Sequence, residues 1–403
     1  MSDSFWLRPL AATMFMQVAA SILSQGLWVL APVLTDAAGV AAERIGELSA
    51  LVSLGSVWFL MSGGPLLQRL GSIRMLQLGC IVISLSLIVY VVPFWPLMML
   101  AALLNGIGYG PTPPAGSDIL ARYSPPQLKA TIFSIKQAGA PLGGAIAGAA
   151  LPALTVLIGW QGALIAVALF GLAIVPVIQP LRTLVDGTSR ATHAVTVRSL
   201  FSPSNIARPF RAVRLAASLP WLTAAAVCFA VIQGNLFTFM VTYLTIEDRF
   251  DLAAAGFAYA VMQIAGMFGR VLMGWIADRV GSVVRTLTVL SLTTTAMSLA
   301  VSAIAPDWPW LLVLCATALT GIASTSWNGI YLAEVAHLAP EGRIGEATSG
   351  SVFFTFLGYT FGPVGFSALV SAVGSYSASF ALTSCLGLVA TAMLVTAHAR
   401  RRS

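Results

Sequence analysis

The sequence predicts an all-α membrane protein: twelve transmembrane helices arranged as two six-helix, pseudo-symmetric bundles. Three observations carry that expectation. The 403 residues are 58% hydrophobic and only 9% charged, whereas about a quarter of an ordinary globular domain is charged. Apolar runs of about 20 or more residues recur along the whole chain, each long enough to cross a hydrocarbon core of roughly 30 Å. The turns between these runs repeat in the two halves of the chain. A soluble globular domain is excluded.

The expected spans run, in order, over 9–34, 45–67, 73–94, 96–121, 128–153, 160–181, 219–245, 253–277, 283–305, 308–337, 344–372 and 376–398. Span 1 follows a single Arg8 and is too long for a signal-peptide core, so it is expected to be retained. Spans 3 and 4 meet at Pro93-Phe94-Trp95-Pro96, a turn whose aromatic rings suit the membrane interface. Spans 9 and 10 meet at Ala305-Pro306-Asp307-Trp308-Pro309-Trp310, the same device at the corresponding place. Matching punctuation in two six-span halves is the sequence trace of a parallel repeat. The chain therefore divides into an N-terminal bundle at 1–181, a cytoplasmic linker at 182–218 and a C-terminal bundle at 219–403. Glycines crowd spans 4, 5, 8 and 11, Gly106, Gly143, Gly269 and Gly358 among them, where small residues let membrane helices approach closely.

The net charge of +7 raises nucleic acid as a partner, but the placement of the charges excludes it. Of the 21 Lys+Arg, all but Arg44, Lys136, Arg249 and Arg270 lie at the termini or in alternate loops. That is the positive-inside pattern, and it puts both termini in the cytoplasm of a multi-pass protein, expected in a bacterial inner membrane. In the linker, Ile206, Phe210 and Val213 share one helical face and Arg208, Arg211 and Arg214 another. A short basic amphipathic helix lying on the anionic inner leaflet is expected there. The four cysteines, Cys80, Cys228, Cys315 and Cys385, are scattered through apolar segments without metal spacing. They are expected to be small buried side chains, not disulfides.

One motif stands out. Gly269-Arg270-Val271-Leu272-Met273-Gly274-Trp275-Ile276-Ala277-Asp278-Arg279-Val280-Gly281-Ser282-Val283-Val284-Arg285 runs from span 8 into a basic loop. Its echo, Gly64-Pro65-Leu66-Leu67-Gln68-Arg69-Leu70-Gly71-Ser72-Ile73-Arg74, lies 210 positions earlier. Here the sequence resembles the major facilitator superfamily, whose signature loop reads G-x-x-x-D-R-x-G-x-x-R between helices 2 and 3 and recurs between helices 8 and 9. The second copy fits, while the first has Gln68 in place of the Asp. The resemblance implies the major facilitator fold, with spans 1, 4, 7 and 10 lining a path. It also implies a latch role for Arg69, Arg74, Asp278, Arg279 and Arg285. Gly269-Arg270 through Gly281 further resembles the oxalate:formate antiporter and monocarboxylate transporter branch, whose first Arg binds the substrate carboxylate. That branch also uses a Lys in span 11, and span 11 here has none.

Charge inside a membrane is costly, on the order of 3 kcal/mol on insertion scales, and marks function. Lys136 lies eight residues into span 5, about 12 Å deep, beside Gln137. Arg270 lies seven residues above the end of span 8, about 10 Å deep. Both are expected to bind substrate, the alternatives being a snorkelling Lys136 and a locally paired Arg270. Asp118 and Glu334 sit at equivalent places near the ends of spans 4 and 10. In the family such acids pair with the signature Arg, which implies Arg74–Asp118 and Arg285–Glu334. Glu334 also shares a face with Trp327 and Tyr331. Asp36, Glu43, Glu47, Glu247, Asp248, Asp251 and Asp307 are expected at the outer surface.

Two buried cations without a central carboxylate favour an anionic substrate, since a carboxylate would neutralise them through charge-assisted hydrogen bonds. The polar residues expected to complete the site are Gln17 and Gln25 in span 1, Asn105 in span 4, Gln233 in span 7, Trp327, Asn328 and Tyr331 in span 10, and Tyr359 in span 11. Asn235 and Gln263 are further polar positions. Gly139-Ala140-Pro141-Leu142-Gly143-Gly144 partly resembles an antiporter motif. No catalytic, metal or cofactor constellation is legible, so no enzyme is expected. The expectation is a secondary transporter of a small carboxylate-type anion, coupled to protons or a counter-anion and acting as a monomer in the bilayer. The alternative is a drug or metabolite efflux antiporter.

Overall fold

The computed structural model describes residues 6–125, 129–185, 209–340 and 343–400. All regular structure among them is helical, as it must be where no water is present to satisfy exposed backbone. Ten segments are long and apolar enough to cross a membrane. The difference from the expected twelve lies at two places. Residues 135–182 count as one segment but are two helices, and span 4 is broken into pieces too short to be counted. The chain divides into two compact units, Met1–Ala38 with Leu51–Ser202 and Gly39–Ala50 with Pro203–Ser403.

In the first unit, span 1 becomes α1 (Leu7–Val29) and α2 (Ala31–Ala37), broken where Pro32 begins a new helix. Span 2 becomes α3 (Ile45–Ser62) and α4 (Gly64–Leu70), and span 3 becomes α5 (Ser72–Tyr90). Span 4 is split into α6 (Trp95–Tyr109) and α7 (Thr112–Tyr123) at Gly110-Pro111. Pro111, Pro113 and Pro114 carry no N–H, so the helix cannot run through unbroken. Spans 5 and 6 run together as α8 (Lys129–Val185), whose 57 residues would stretch about 85 Å if straight. Gly159 prevents that. Its φ of 73° and ψ of 163° turn the chain between the two spans, a conformation that only glycine adopts without strain. Inside the unit α1 packs on α8, and α5 packs on α6 and α8.

In the second unit, α9 (Leu219–Ile246), α10 (Leu252–Val280) and α11 (Val283–Ser302) are unbroken. Span 10 is interrupted at Ser326 into α12 (Trp310–Thr325) and α13 (Trp327–Leu338). Span 12 is interrupted at Cys385 into α15 (Tyr376–Ser384) and α16 (Leu386–Ala399), with α14 (Ile344–Val373) between these two spans. The core is formed by α9 against α14 and α16, and by α10 against α12. The outer start of span 2 packs in this unit, with Ser49 Oγ 2.8 Å from Thr238 Oγ1 and Gly46 tight against the Pro363 carbonyl.

Three expectations need correction. Cys80 is buried, but Cys315 and Cys385 are exposed; an apolar surroundings tolerates a thiol on the outward face as readily as in the core. Asp248 is not at the surface but 5% exposed, because Phe250 N–H reaches back to the Leu244 carbonyl (2.9 Å) and Arg249 takes a φ of 58°, folding the end of α9 on itself. Of the expected linker helix, residues 186–208 lie outside the described residues. Its described end does not present one apolar face: Ala212 and Val213 are buried while Phe210 is exposed, its ring 5.0 Å from that of Phe354 in α14.

Candidate functional site

The eleven expected substrate residues fall into two groups, one in each unit. In the first unit Lys136 is 1% exposed. Its Nζ donates to Gln137 Oε1 at 3.2 Å, and no carboxylate among the described residues pairs with it. Gly116 of α7 makes the room, since a Cβ there would lie 2.7 Å from Lys136 Cε and 3.2 Å from Nζ. Gln17 donates to the Tyr109 hydroxyl (3.1 Å), tying α1 to α6. Gln25 donates to the Ala140 carbonyl at 3.0 Å, beside the Pro141 interruption of α8. Asn105 is turned away from these groups: it is buried and donates to Ser86 Oγ of α5 at 3.3 Å. The structure gives it the role of helix-to-helix adhesive.

In the second unit the polar residues converge. Gln233 Oε1 of α9 accepts from Trp327 Nε1 (2.9 Å), the Tyr359 hydroxyl (2.8 Å) and Asn328 Nδ2 (3.4 Å). Three donors on one amide oxygen fix the orientation of the amide, because a flip would set donor against donor. The Gln233 nitrogen is thereby left as the group that can donate. Trp327 stacks on Phe229, ring centroids 5.6 Å apart at 14°, and Tyr331 packs against Trp327 at 5.7 Å. Trp327, Tyr331 and Glu334 are all buried, consistent with their shared face.

Arg270 is half-buried in α10, and its Nε donates to the Thr325 carbonyl at 3.2 Å. Thr325 ends α12, and its carbonyl is one of those a helix end leaves without an intrahelical partner. Arg270 therefore closes the break in span 10 and holds Trp327 and Asn328 in register. Two residues gain weight that their types alone did not give them. Asn235, next but one to Gln233, is 1% exposed with neither amide atom hydrogen-bonded among the described residues. Asp248 is the buried carboxylate at the outer end of the same helix.

Neither expected latch pair is among the ion pairs of the described residues. Asp118 accepts from Arg122 Nη2 at 2.6 Å and from the Ser72 hydroxyl. The reason is local: Arg122 lies one turn on along the same helix face, and Ser72 opens α5 against it. Arg279 lies over the Trp275 ring at 4.8 Å, and Asp278 is exposed on the same turn. Arg285 makes no ion pair with Glu334, which is buried, whereas Arg285 is exposed on the outward face of α11. Arg69 lies in the last turn of α4, exposed, one residue past Gln68.

Residues 13–349 match the family model described as Major Facilitator Superfamily. The chain is 24% identical to the uncharacterized MFS-type transporter MT3072 of Mycobacterium tuberculosis over 92% of its own length and 80% of the relative's. It is 24% identical to the 4-hydroxybenzoate transporter PcaK of Pseudomonas aeruginosa, covering 62% of this chain and 61% of that one. It is 26% identical to the hexuronate transporter of Bacillus subtilis over 36% of this chain and 35% of that one. Among solved structures it is similar to a bacterial homolog of the human lysosomal transporter Spinster in an inward-facing, unoccupied conformation. The TM-score is 0.77 at 15% identity, covering 99% and 98% of the two chains.

Proposed function

Because the chain belongs to the Major Facilitator Superfamily and is a multi-pass membrane transporter, not an enzyme, we propose that it moves a small organic anion of carboxylate type by alternating access. The observation that carries the reading is Lys136, a cation 1% exposed with no carboxylate partner among the described residues. Such a charge costs several kcal/mol to bury alone, and a substrate carboxylate would neutralise it. The names of relatives point the same way, since 4-hydroxybenzoate and hexuronate both carry a carboxylate. Within the second unit, the Gln233 amide nitrogen and Asn235 are neutral donors. Arg270 orders the span 10 break, and the two signature loops act as latches, the first through the contacts of Asp118 with Ser72 and Arg122. Coupling to a proton or a counter-anion follows from the need to carry net charge. The basic loops support a bacterial inner membrane with both termini in the cytoplasm.

Efflux of drugs or metabolites is the second reading, favoured by the Phe229–Trp327 stack and the partial motif at Gly139–Gly144. One experiment separates the two: thermal shift of the purified protein against monocarboxylates, sugar acids, phosphate esters and lipophilic cations, in wild type and Lys136→Met. A ligand at about 100 times its dissociation constant adds roughly 2.7 kcal/mol to stability. Stabilisation by carboxylates that vanishes in the variant supports anion transport. Stabilisation by cations, or by carboxylates equally in both proteins, supports efflux.

A further inference from the structure

A groove of about 340 Å³ runs between α10, α11 and α12. It is lined by Met273 and Ile276 of α10, Leu290 and Met297 of α11 and Ile322 of α12, with Arg285 at one end. Val289, 65% exposed, and Leu319, 50% exposed, stand at its rim, so it opens on the outward face, which in an apolar chain is the face that meets lipid. Thr286 and Thr293 also line it, but their hydroxyls donate to the Ser282 and Val289 carbonyls of their own helix, at 3.1 and 2.9 Å. The wall is therefore apolar throughout, and Arg285 is its one charged group.

We propose that this groove seats an acyl chain of an anionic phospholipid whose phosphate is held by Arg285. The dimensions fit. Twelve residues of α11 separate Arg285 from Met297, a rise of about 18 Å, close to the depth of one leaflet of a hydrocarbon core of roughly 30 Å. The charge fits as well. Arg285 lies in the first turn of α11, at the loop that the charge pattern places in the cytoplasm, where the leaflet is anionic. It has no ion pair among the described residues, and a guanidinium presents a fork of donors that matches a phosphate. Trp275, 55% exposed one turn from the groove and under Arg279, is the aromatic group expected at headgroup level. None of the proposed substrate residues lines the groove, and Arg285 is its one residue shared with the second signature motif.

The test is native mass spectrometry of the full chain in detergent with dioleoyl phosphatidylglycerol or dioleoyl phosphatidylcholine added. It is run on wild type, Arg285→Gln and Thr293→Trp, the last filling the groove and leaving the arginine in place. The expected result is retention of phosphatidylglycerol over phosphatidylcholine by wild type. Arg285→Gln lowers it about fivefold, the weight of one arginine at a lipid surface, and Thr293→Trp lowers it too. Equal retention of the two lipids, or retention unchanged in either variant, overturns the proposal. So does binding of inorganic phosphate alone that matches the lipid, because the acyl seat would then contribute nothing. Melting curves without lipid identify a variant that has lost its fold; a smaller filler, Ala323→Leu, then replaces it.

Discussion

The two units treat a cation inside the membrane in opposite ways. Lys136 is enclosed, with a glycine cut away for its ammonium and, among the described residues, only the neighbouring Gln137 amide as acceptor. Arg270 is half-open and already employed, its guanidinium closing the carbonyl end of α12. The first charge is costly where it stands, which is tolerable only if something is gained by it; the second stabilises a helix break. Two cations of equal charge therefore separate into one that is enclosed and one whose guanidinium hydrogen-bonds a helix end.

Replacing each cation by an unbranched apolar side chain sharpens that contrast, and the largest effect is expected at Lys136. Lys136→Met removes an uncompensated buried charge, so the melting temperature rises while carboxylate uptake into proteoliposomes falls by about two orders of magnitude. Lower stability with uptake retained would place Lys136 in the scaffold and erase the distinction. Gly116→Ala probes the same enclosure more gently. It pushes on Lys136 Cε, weakening uptake by less than Lys136→Met does.

Next in size is Gln233→Leu, which takes the acceptor away from Trp327, Asn328 and Tyr359 together. Loss of the acceptor for one buried and two half-buried donors costs about 2.5 kcal/mol, read as a lower melting temperature and a weakened Trp327 environment by fluorescence. Arg270→Met comes third, at about 2 kcal/mol for a lost charged hydrogen bond. Its sign is the point: it lowers stability where Lys136→Met raises it. Equal signs would mean that the two units handle charge alike.

The sequence carried the helices well and their breaks unevenly. Long apolar runs leave little choice inside a bilayer, and Pro32, Pro111 and Gly159 announce where a helix must stop or turn. The interruptions at Ser326 and Cys385 carry no such residue, and at the Ser326 break Arg270 of another helix donates to the Thr325 carbonyl. The polar types of the site were legible. Their convergence on one amide oxygen was not, since Gln233 and Tyr359 are 126 residues apart. Asn105 looked equivalent to the others and proved to serve Ser86. Asp248 was misplaced for a similar reason: a loop acid reads as solvated unless the turn beyond it is known, and arginine is not a residue that announces a positive φ.

That buried acid yields the smallest and most specific effect, because it lies beyond the end of α9, outside the membrane-spanning helix. Burial pushes the Asp248 carboxyl up to about 6, with the Tyr243 hydroxyl drawing it part of the way back and the Glu247 charge adding to the rise. Around it, the Tyr243 hydroxyl donates to the Val301 and Ile304 carbonyls at the end of α11. Glu247 caps the start of α15 through Ser375 and Ser377. Folding therefore raises the proton affinity of Asp248 above that of the open chain. The native state gains from protonation as the pH falls through about 6, and loses that gain as the pH rises again. Wild type should be more stable at pH 5 than at pH 7 by about 1 kcal/mol from this group. Asp248→Asn, neutral at every pH, should flatten that slope and melt higher at pH 7. A slope unchanged in the variant would mean that Asp248 is ionised and solvated in the native protein, and that the outer end of α9 is as open as its sequence suggests.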